Sequence, residues 1–157
     1  MRFLFLLLLV LAVVPSCGGN NLDTALEAAK AKSAIDSLWT RYAVASDQHD
    51  AIGFESLFIE DGTLVYDRAP TVNGRRAIGA FLDSLYRGVD ATGLRIVPED
   101  LQVSGTLAAQ CGTFEESFNE AGKPKTEYGR FVLIADRGSD QTWRIRRLVA
   151  LADSTGD

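Results

Sequence analysis

The stretch Ser33–Asp67, SAIDSLWTRYAVASDQHDAIGFESLFIEDGTLVYD, decides how the rest of the chain is read. Ile35, Leu38, Trp39, Tyr42 and Ala45 recur at three- and four-residue spacing, which puts them on one stripe of a helix. Asp50 stands where an N-cap belongs and predicts a second short helix over Ala51–Phe58. Asp61-Gly62 predicts a turn. Thr63–Asp67, rich in branched and aromatic residues, predicts a first strand. A long amphipathic helix must bury its stripe against something, and the downstream chain supplies a sheet.

Outward from this stretch, the helical pattern reaches back to Leu22 and on to His49. The part before Ser33 carries a weaker stripe and is expected to be detached or frayed. After Asp67 comes a loop over Arg68–Asn73 containing Pro70. Arg75–Val89 returns to helical period, with Ile78, Phe81, Leu82 and Leu85 inward. Four strands follow. Leu94–Val103 is interrupted by Pro98, which predicts an edge or a bulge. A hairpin signal at Ser104-Gly105 leads to Thr106–Phe118. A loop through Gly122 and Pro124 leads to Thr126–Ala135, and a polar turn over Asp136–Gln141 leads to Thr142–Leu151. This order predicts an α+β domain. A strongly curved, cone-shaped, mostly antiparallel sheet carries the helices on its concave side.

The start of the chain reads differently. Met1-Arg2 is a short basic start and Phe3–Val14 is an unbroken apolar run of twelve residues. That is short of the roughly 20 residues a spanning helix needs and suits the apolar core of a signal peptide. Val14-Pro15-Ser16-Cys17 resembles the lipobox of bacterial lipoproteins, in which the cysteine is acylated and becomes the new N-terminus. The expected organisation is a signal peptide over 1–16, lipidated Cys17 with tether and helix lead-in over 17–32, one domain over 33–152 and a polar tail over 153–157. Two or three acyl chains hold a protein on a membrane where one gives only marginal binding. The expected address is therefore the bacterial cell envelope, with the domain outside the cytoplasm.

Loss of Met1–Ser16 removes one basic residue and no acidic one, so the charge goes from −5 to −6. An acidic chain without a basic cluster argues against nucleic acid as a partner. With Cys17 acylated, Cys111 has no partner in its own chain and is expected to be a small buried hydrophobe. One histidine and one free cysteine give no ligand cluster with metal spacing, so neither metal nor other cofactor is expected.

Several motifs in this order resemble the nuclear transport factor 2-like superfamily, in its SnoaL-like and ketosteroid-isomerase-like branch. They are Trp39-x-x-Tyr42, His49-Asp50, Leu57-Phe58-x-x-Asp61-Gly62, Val72-x-Gly74-Arg75-x-Ala77-Ile78, Val103-Ser104-Gly105-x-Leu107-Ala108, Gly129-Arg130-Phe131 and Trp143-x-Ile145. The resemblance implies a cone whose mouth opens a pocket beside the first helix, and frequent dimerisation through the outer face of the sheet. It also implies either binding of a small apolar molecule or isomerase, cyclase or dehydratase chemistry that moves protons on one.

The resemblance to ketosteroid isomerase implies site residues too. Tyr42 falls where a first-helix tyrosine donates to an oxyanion, and Asp67 where a strand-end aspartate acts as base. The third member there is a protonated aspartate, but this chain reads Glu127-Tyr128-Gly129-Arg130-Phe131, and Tyr128 is the candidate substitute donor. Trp39, Tyr128 and Arg130 are the expected ligand contacts. His49 is either a base paired with Asp47 or Asp50, or a residue suited to a helix C-terminus. Strand alternation puts one of Glu115/Glu116 and one of Arg146/Arg147 on each face, either as a charged pocket floor or as cross-strand ion pairs.

The reading reached is a membrane-anchored binding or accessory domain, expected to homodimerise as the resemblance implies. The alternatives are an enzyme using Tyr42 and Asp67, and a structural dimerisation module. Cys17→Ser is expected to move the protein from the membrane to the soluble fraction on cell fractionation. Continued membrane retention would refute lipidation at Cys17.

Overall fold

The computed structural model describes residues 20–67, 69–88 and 90–156, without the side chains of 20, 21, 155 and 156. The expected signal peptide and Cys17 lie outside the described residues. Helix α1 (Asn20–Asp47) is followed by α2 (Ala51–Leu57), β1 (Phe58–Tyr66), β2 (Val72–Asn73) and α3 (Arg75–Tyr86). Four long strands complete the chain: β3 (Asp90–Ser104), β4 (Leu107–Glu120), β5 (Lys123–Arg137) and β6 (Trp143–Gly156). They form one six-stranded sheet in the order β2-β1-β6-β5-β4-β3, antiparallel except where β1 runs parallel to β6. No described helix is long and apolar enough to cross a membrane.

The stripe of α1 behaves as its spacing predicts. Ala31, Ile35, Leu38, Trp39 and Ala45 are buried against the inner face of the sheet, and Tyr42 packs beside them. The residues before Ser33 are not detached. Ala31 is in the core, and Arg137 of β5 pairs with Glu27 at 3.3 Å while its guanidinium lies over the ring of Trp143. The helix ends in a Schellman arrangement. The Asp50 N–H donates to the Ala45 carbonyl at 2.8 Å and the His49 N–H to that of Ser46 at 3.0 Å, with His49 at φ +52°. Asp50 then caps α2, its carboxylate accepting from the Gly53 N–H at 2.9 Å.

Four expectations need correction. Asp61-Gly62 does not turn the chain. It lies within β1, where the register against β6 shifts between Phe58 and Thr63, and Phe58 and Leu64 are both buried on either side of it. Pro124 lies inside β5 opposite Asn119, because Ala121 and Gly122, both at positive φ, close the hairpin by themselves. Residues 153–156 are not a tail. β6 continues past Leu151 and pairs Ser154, Thr155 and Gly156 with Tyr128, Glu127 and Thr126. Cys111 is exposed, because Gln110 and Gly112 take the inward positions on either side of it. Pro98 does mark a register shift on edge strand β3.

Two glycines set how the inner face of the sheet is filled. Gly112 on β4 is the register partner of Phe131 on β5, and Phe114 is the partner of Gly129. A Cβ on either glycine would run into the ring opposite and into a neighbouring strand's carbonyl, from Val97 at Gly112 and from Leu151 at Gly129. Each ring therefore lies over a residue with no side chain. Gly129→Ala is expected to lower stability by about 2 kcal/mol in urea unfolding, as overpacked cores do. Asp50→Ala, which removes only a cap, is expected to cost about 1 kcal/mol.

Candidate functional site

The cone encloses a cavity of about 40 Å³ that opens to solvent beside α1. Trp39, Tyr42 and Ser46 of α1 line it, with Tyr66 of β1 and Leu82, Leu85 and Tyr86 of α3. The sheet contributes Leu94, Ile96, Phe114, Glu116, Phe131, Leu148 and Ala150. Trp39 is fixed by its indole N–H, which donates to the buried Gln110 side-chain oxygen at 2.8 Å. Its ring meets Phe131 edge-on at 4.6 Å and Tyr42 at 5.7 Å. Tyr42 in turn packs edge-on against Phe54 at 4.6 Å.

Tyr86 is held from two sides. Its hydroxyl donates to Ser46 Oγ at 3.3 Å, and the His49 imidazole stacks on its ring at 4.7 Å. His49 Nε2 lies 3.1 Å from the Ala91 carbonyl, which only accepts, so this nitrogen carries the proton and donates. The histidine is thus a support behind the cavity wall and is not among the lining residues.

Among the described lining residues Glu116 alone carries a formal charge. Phe114 faces inward, and alternation carries Glu116 to the same face, while Glu115 points outward toward Arg95 at 3.7 Å. The Tyr66 hydroxyl donates to Glu116 Oε2 at 3.4 Å. Burial pushes the Glu116 carboxyl up to about 7, and Glu127, its register partner across β4 and β5, pushes in the same direction. The Tyr66 hydrogen bond opposes these effects, and Asp47 adds to them. Burial also raises Tyr42, Tyr66 and Tyr86, so all three phenols stay neutral donors across the physiological range.

The structure divides the residues expected from sequence. Trp39 and Tyr42 line the cavity. Asp67 does not. Leu64 and Tyr66 take the inward positions of β1, and the strand end therefore presents Tyr66, with Asp67 one residue beyond it. The Asp67 N–H donates to the Ala150 carbonyl at 3.1 Å. Tyr128 is on the outer face and about half exposed. Arg130 is on that face too, bound through two nitrogens to Asp153, so neither Tyr128 nor Arg130 reaches the cavity. Arg146 and Arg147 do not divide between the faces. A bulge between Ile134 and Ala135's partners leaves both exposed and both Ile145 and Leu148 buried. Glu116 and Tyr66 are what sequence reasoning left unassigned. The parity of Leu64 and of Phe114 was the signal that would have placed them. Among the described residues no group of three His, Cys, Asp or Glu is placed to hold a metal.

A curved sheet wrapped around helices, with a half-open cavity beside the first of them, is the nuclear transport factor 2-like fold. The chain belongs to the SnoaL-like domain family, whose sequence signature matches residues 27–149. It is similar in structure to a nuclear transport factor 2-like protein with a cystatin-like fold from Novosphingobium aromaticivorans (TM-score 0.75, 22% identity, 88% of this chain and 92% of that one). It is also similar to a ketosteroid isomerase-like protein from Erwinia carotovora (TM-score 0.71, 15% identity, 78% and 95%). A superfamily protein from Salmonella enterica gives TM-score 0.71 at 18% identity, with 81% and 94% covered. At these identities the likeness concerns the fold. No curated protein matches the sequence.

A carboxyl raised by burial holds its proton in the folded state after the unfolded chain has lost it. Its contribution is therefore fully present below pH 4.5, the ordinary glutamate value, and lost as pH rises to about 7. Glu116→Gln keeps an acceptor for Tyr66 and has no proton to lose. It is expected to flatten this part of the stability–pH curve and to raise stability at pH 8 by on the order of 2 kcal/mol, allowing for partial exposure, as read from urea midpoints.

Proposed function

We propose that this protein is a lipid-anchored envelope protein whose SnoaL-like domain takes a small, largely apolar molecule into the cavity beneath α1. The observation that supports this is the lining: aliphatic and aromatic side chains around a few hydroxyls and one carboxyl, the usual make-up of a small-molecule site. The enclosed volume suits a small group, with the rest of a larger molecule lying in the open mouth. Binding is favoured over turnover because Tyr42 and Asp67 do not line one cavity.

A second reading has its own support. A putative scytalone dehydratase from Novosphingobium aromaticivorans is among the proteins that share this fold. Glu116, poised near neutrality beside Tyr42, Tyr66 and Tyr86, is suited to shuttle a proton on a small carbonyl compound in the role expected of Asp67. The exposed Leu107, Val132 and Leu151 on the outer face favour back-to-back pairing of two copies, which the structural-module reading shares.

Mass spectrometry of the mature protein purified from its native host tests the binding reading. A small molecule is expected with the wild type and absent from Ala150→Phe, which fills the cavity. Nothing bound to either would overturn it. For turnover, activity on a carbonyl compound is expected to fall at least 100-fold in Glu116→Gln and to persist in Asp67→Asn. The reverse pattern would reinstate Asp67.

A further inference from the structure

A second hollow lies along the flank of α1. It is a groove of about 240 Å³ between this helix and edge strand β3. Asp36, Trp39, Thr40 and Ala43 line it from α1, at the three- and four-residue spacing of one helix face, and Ile96 and Pro98 line it from β3. Trp39 and Ile96 line the cavity as well, and among the described residues they are the two that both hollows share. The wall between cavity and groove is therefore a single layer of side chains, one indole and one isoleucine.

The two halves of this wall are held differently. Trp39 is tied to Gln110 by the 2.8 Å hydrogen bond and meets Phe131 edge-on at 4.6 Å. Ile96 has no polar atom. It stands on a strand with a hydrogen-bonded neighbour on one side only, two residues before Pro98, after which the register with β4 shifts. Alternation points Ile96 inward with Leu94, so what blocks the way is its side chain and not its backbone. The polar groups of the groove are engaged within α1. The Asp36 carboxylate binds Lys32 at 2.6 Å, and the Thr40 hydroxyl donates to the Asp36 carbonyl at 3.1 Å. Trp39, Ala43, Ile96 and Pro98 supply apolar surface suited to a hydrocarbon chain.

We infer that Ile96 sets the length of the molecule that the cavity takes. Its side chain closes the cavity off from the groove, and a shorter residue there joins the two into one longer apolar site. This rests on the cavity being a binding site and names the residue that determines its specificity. In the protein as it stands, a chain that outgrows the cavity is left in the open mouth, where added carbons remain in water and contribute little. With the wall opened, each further methylene that enters the groove tightens binding by about fourfold.

The test titrates straight-chain alcohols from 1-butanol to 1-octanol into the mature protein purified from its native host, with free alcohol measured in the aqueous phase. Binding is read from the fluorescence of Trp39 in a Trp143→Phe background, and circular dichroism checks the fold of each variant. Wild-type affinity is expected to rise with chain length and then level off. In Ile96→Ala the rise should continue for at least two more carbons. Ala43→Phe, which fills the groove and touches no part of the cavity lining, should leave the wild-type profile unchanged and return the Ile96→Ala profile to it. Where Ile96→Ala does not fold, Ile96→Val takes its place, with levelling one carbon later than in wild type. Levelling at the wild-type length in the Ile96 variant would overturn the inference and leave the cavity reading standing, as would a longer reach that Ala43→Phe does not reverse. A wild-type rise that continues unbroken to 1-octanol would overturn it in the same way. Failure of every alcohol to bind any of these proteins would remove both.

Discussion

The hydrogen bond from the Trp39 indole to Gln110 is the contact on which the arrangement of this domain turns. Both groups are buried, so each would be left without a partner if the other were lost, at a cost of roughly 1–3 kcal/mol. It joins the second half of α1 to the beginning of β4, across seventy-one residues of chain. With that point fixed, the stripe from Ala31 to Ala45 lies along the inner face of the sheet, and the indole meets Phe131 and Tyr42 at interplanar angles of 61° and 74°. Apolar burial supplies the drive, but it is non-directional. The hydrogen bond adds direction and fixes the position of the helix on the sheet.

The sheet meets this helix with a surface made of pairs. Phe131 lies over Gly112 and Phe114 over Gly129, so two large rings occupy places where two further side chains would otherwise stand. The rings reach into the cone and form part of the cavity wall. The same residues therefore serve packing and site. Bulges do related work on charge. Where β6 bulges at Arg146, Ile145 and Leu148 both keep inward places while Arg146 and Arg147 both face out. Where it bulges at Asp153, that carboxylate is freed to bind Arg130 on the outside. The outer face is thus laced with exposed ion pairs that are worth little each, and the interior holds a carboxyl.

Glu116 is where the fold and the cavity meet. A carboxyl on the inner face is an expense that a domain built only for stability would avoid, since burial and the facing Glu127 both resist its ionisation. Three neutral phenols surround it, one of them hydrogen-bonded to it. His49 and Ser46 hold Tyr86, and Phe54 backs Tyr42, so the donors are positioned by packing. Such an arrangement keeps a proton movable near neutral pH and sets the cavity apart from a filled core.

The sequence by itself determined the helices, the number of long strands, the α+β class and the family, because these follow from local periodicity and from motifs in order. It also placed Trp39 and Tyr42 correctly on the inner stripe, since a helix of this length admits one apolar face. It did not determine where alternation breaks along a strand or which groups meet across strands. Side-chain facing has a period of two, so one bulge exchanges the faces, and bulges at Phe58–Thr63, Arg146 and Asp153 belong to the pairing of strands distant in sequence. That is why Arg146 and Arg147 both lie outside, whereas Tyr66, Glu116 and Arg130 follow the plain alternation set by Leu64, Phe114 and Phe131. Only the tertiary register sets Glu116 across from Glu127 and beside Tyr66, and so decided what surrounds the carboxyl of the cavity.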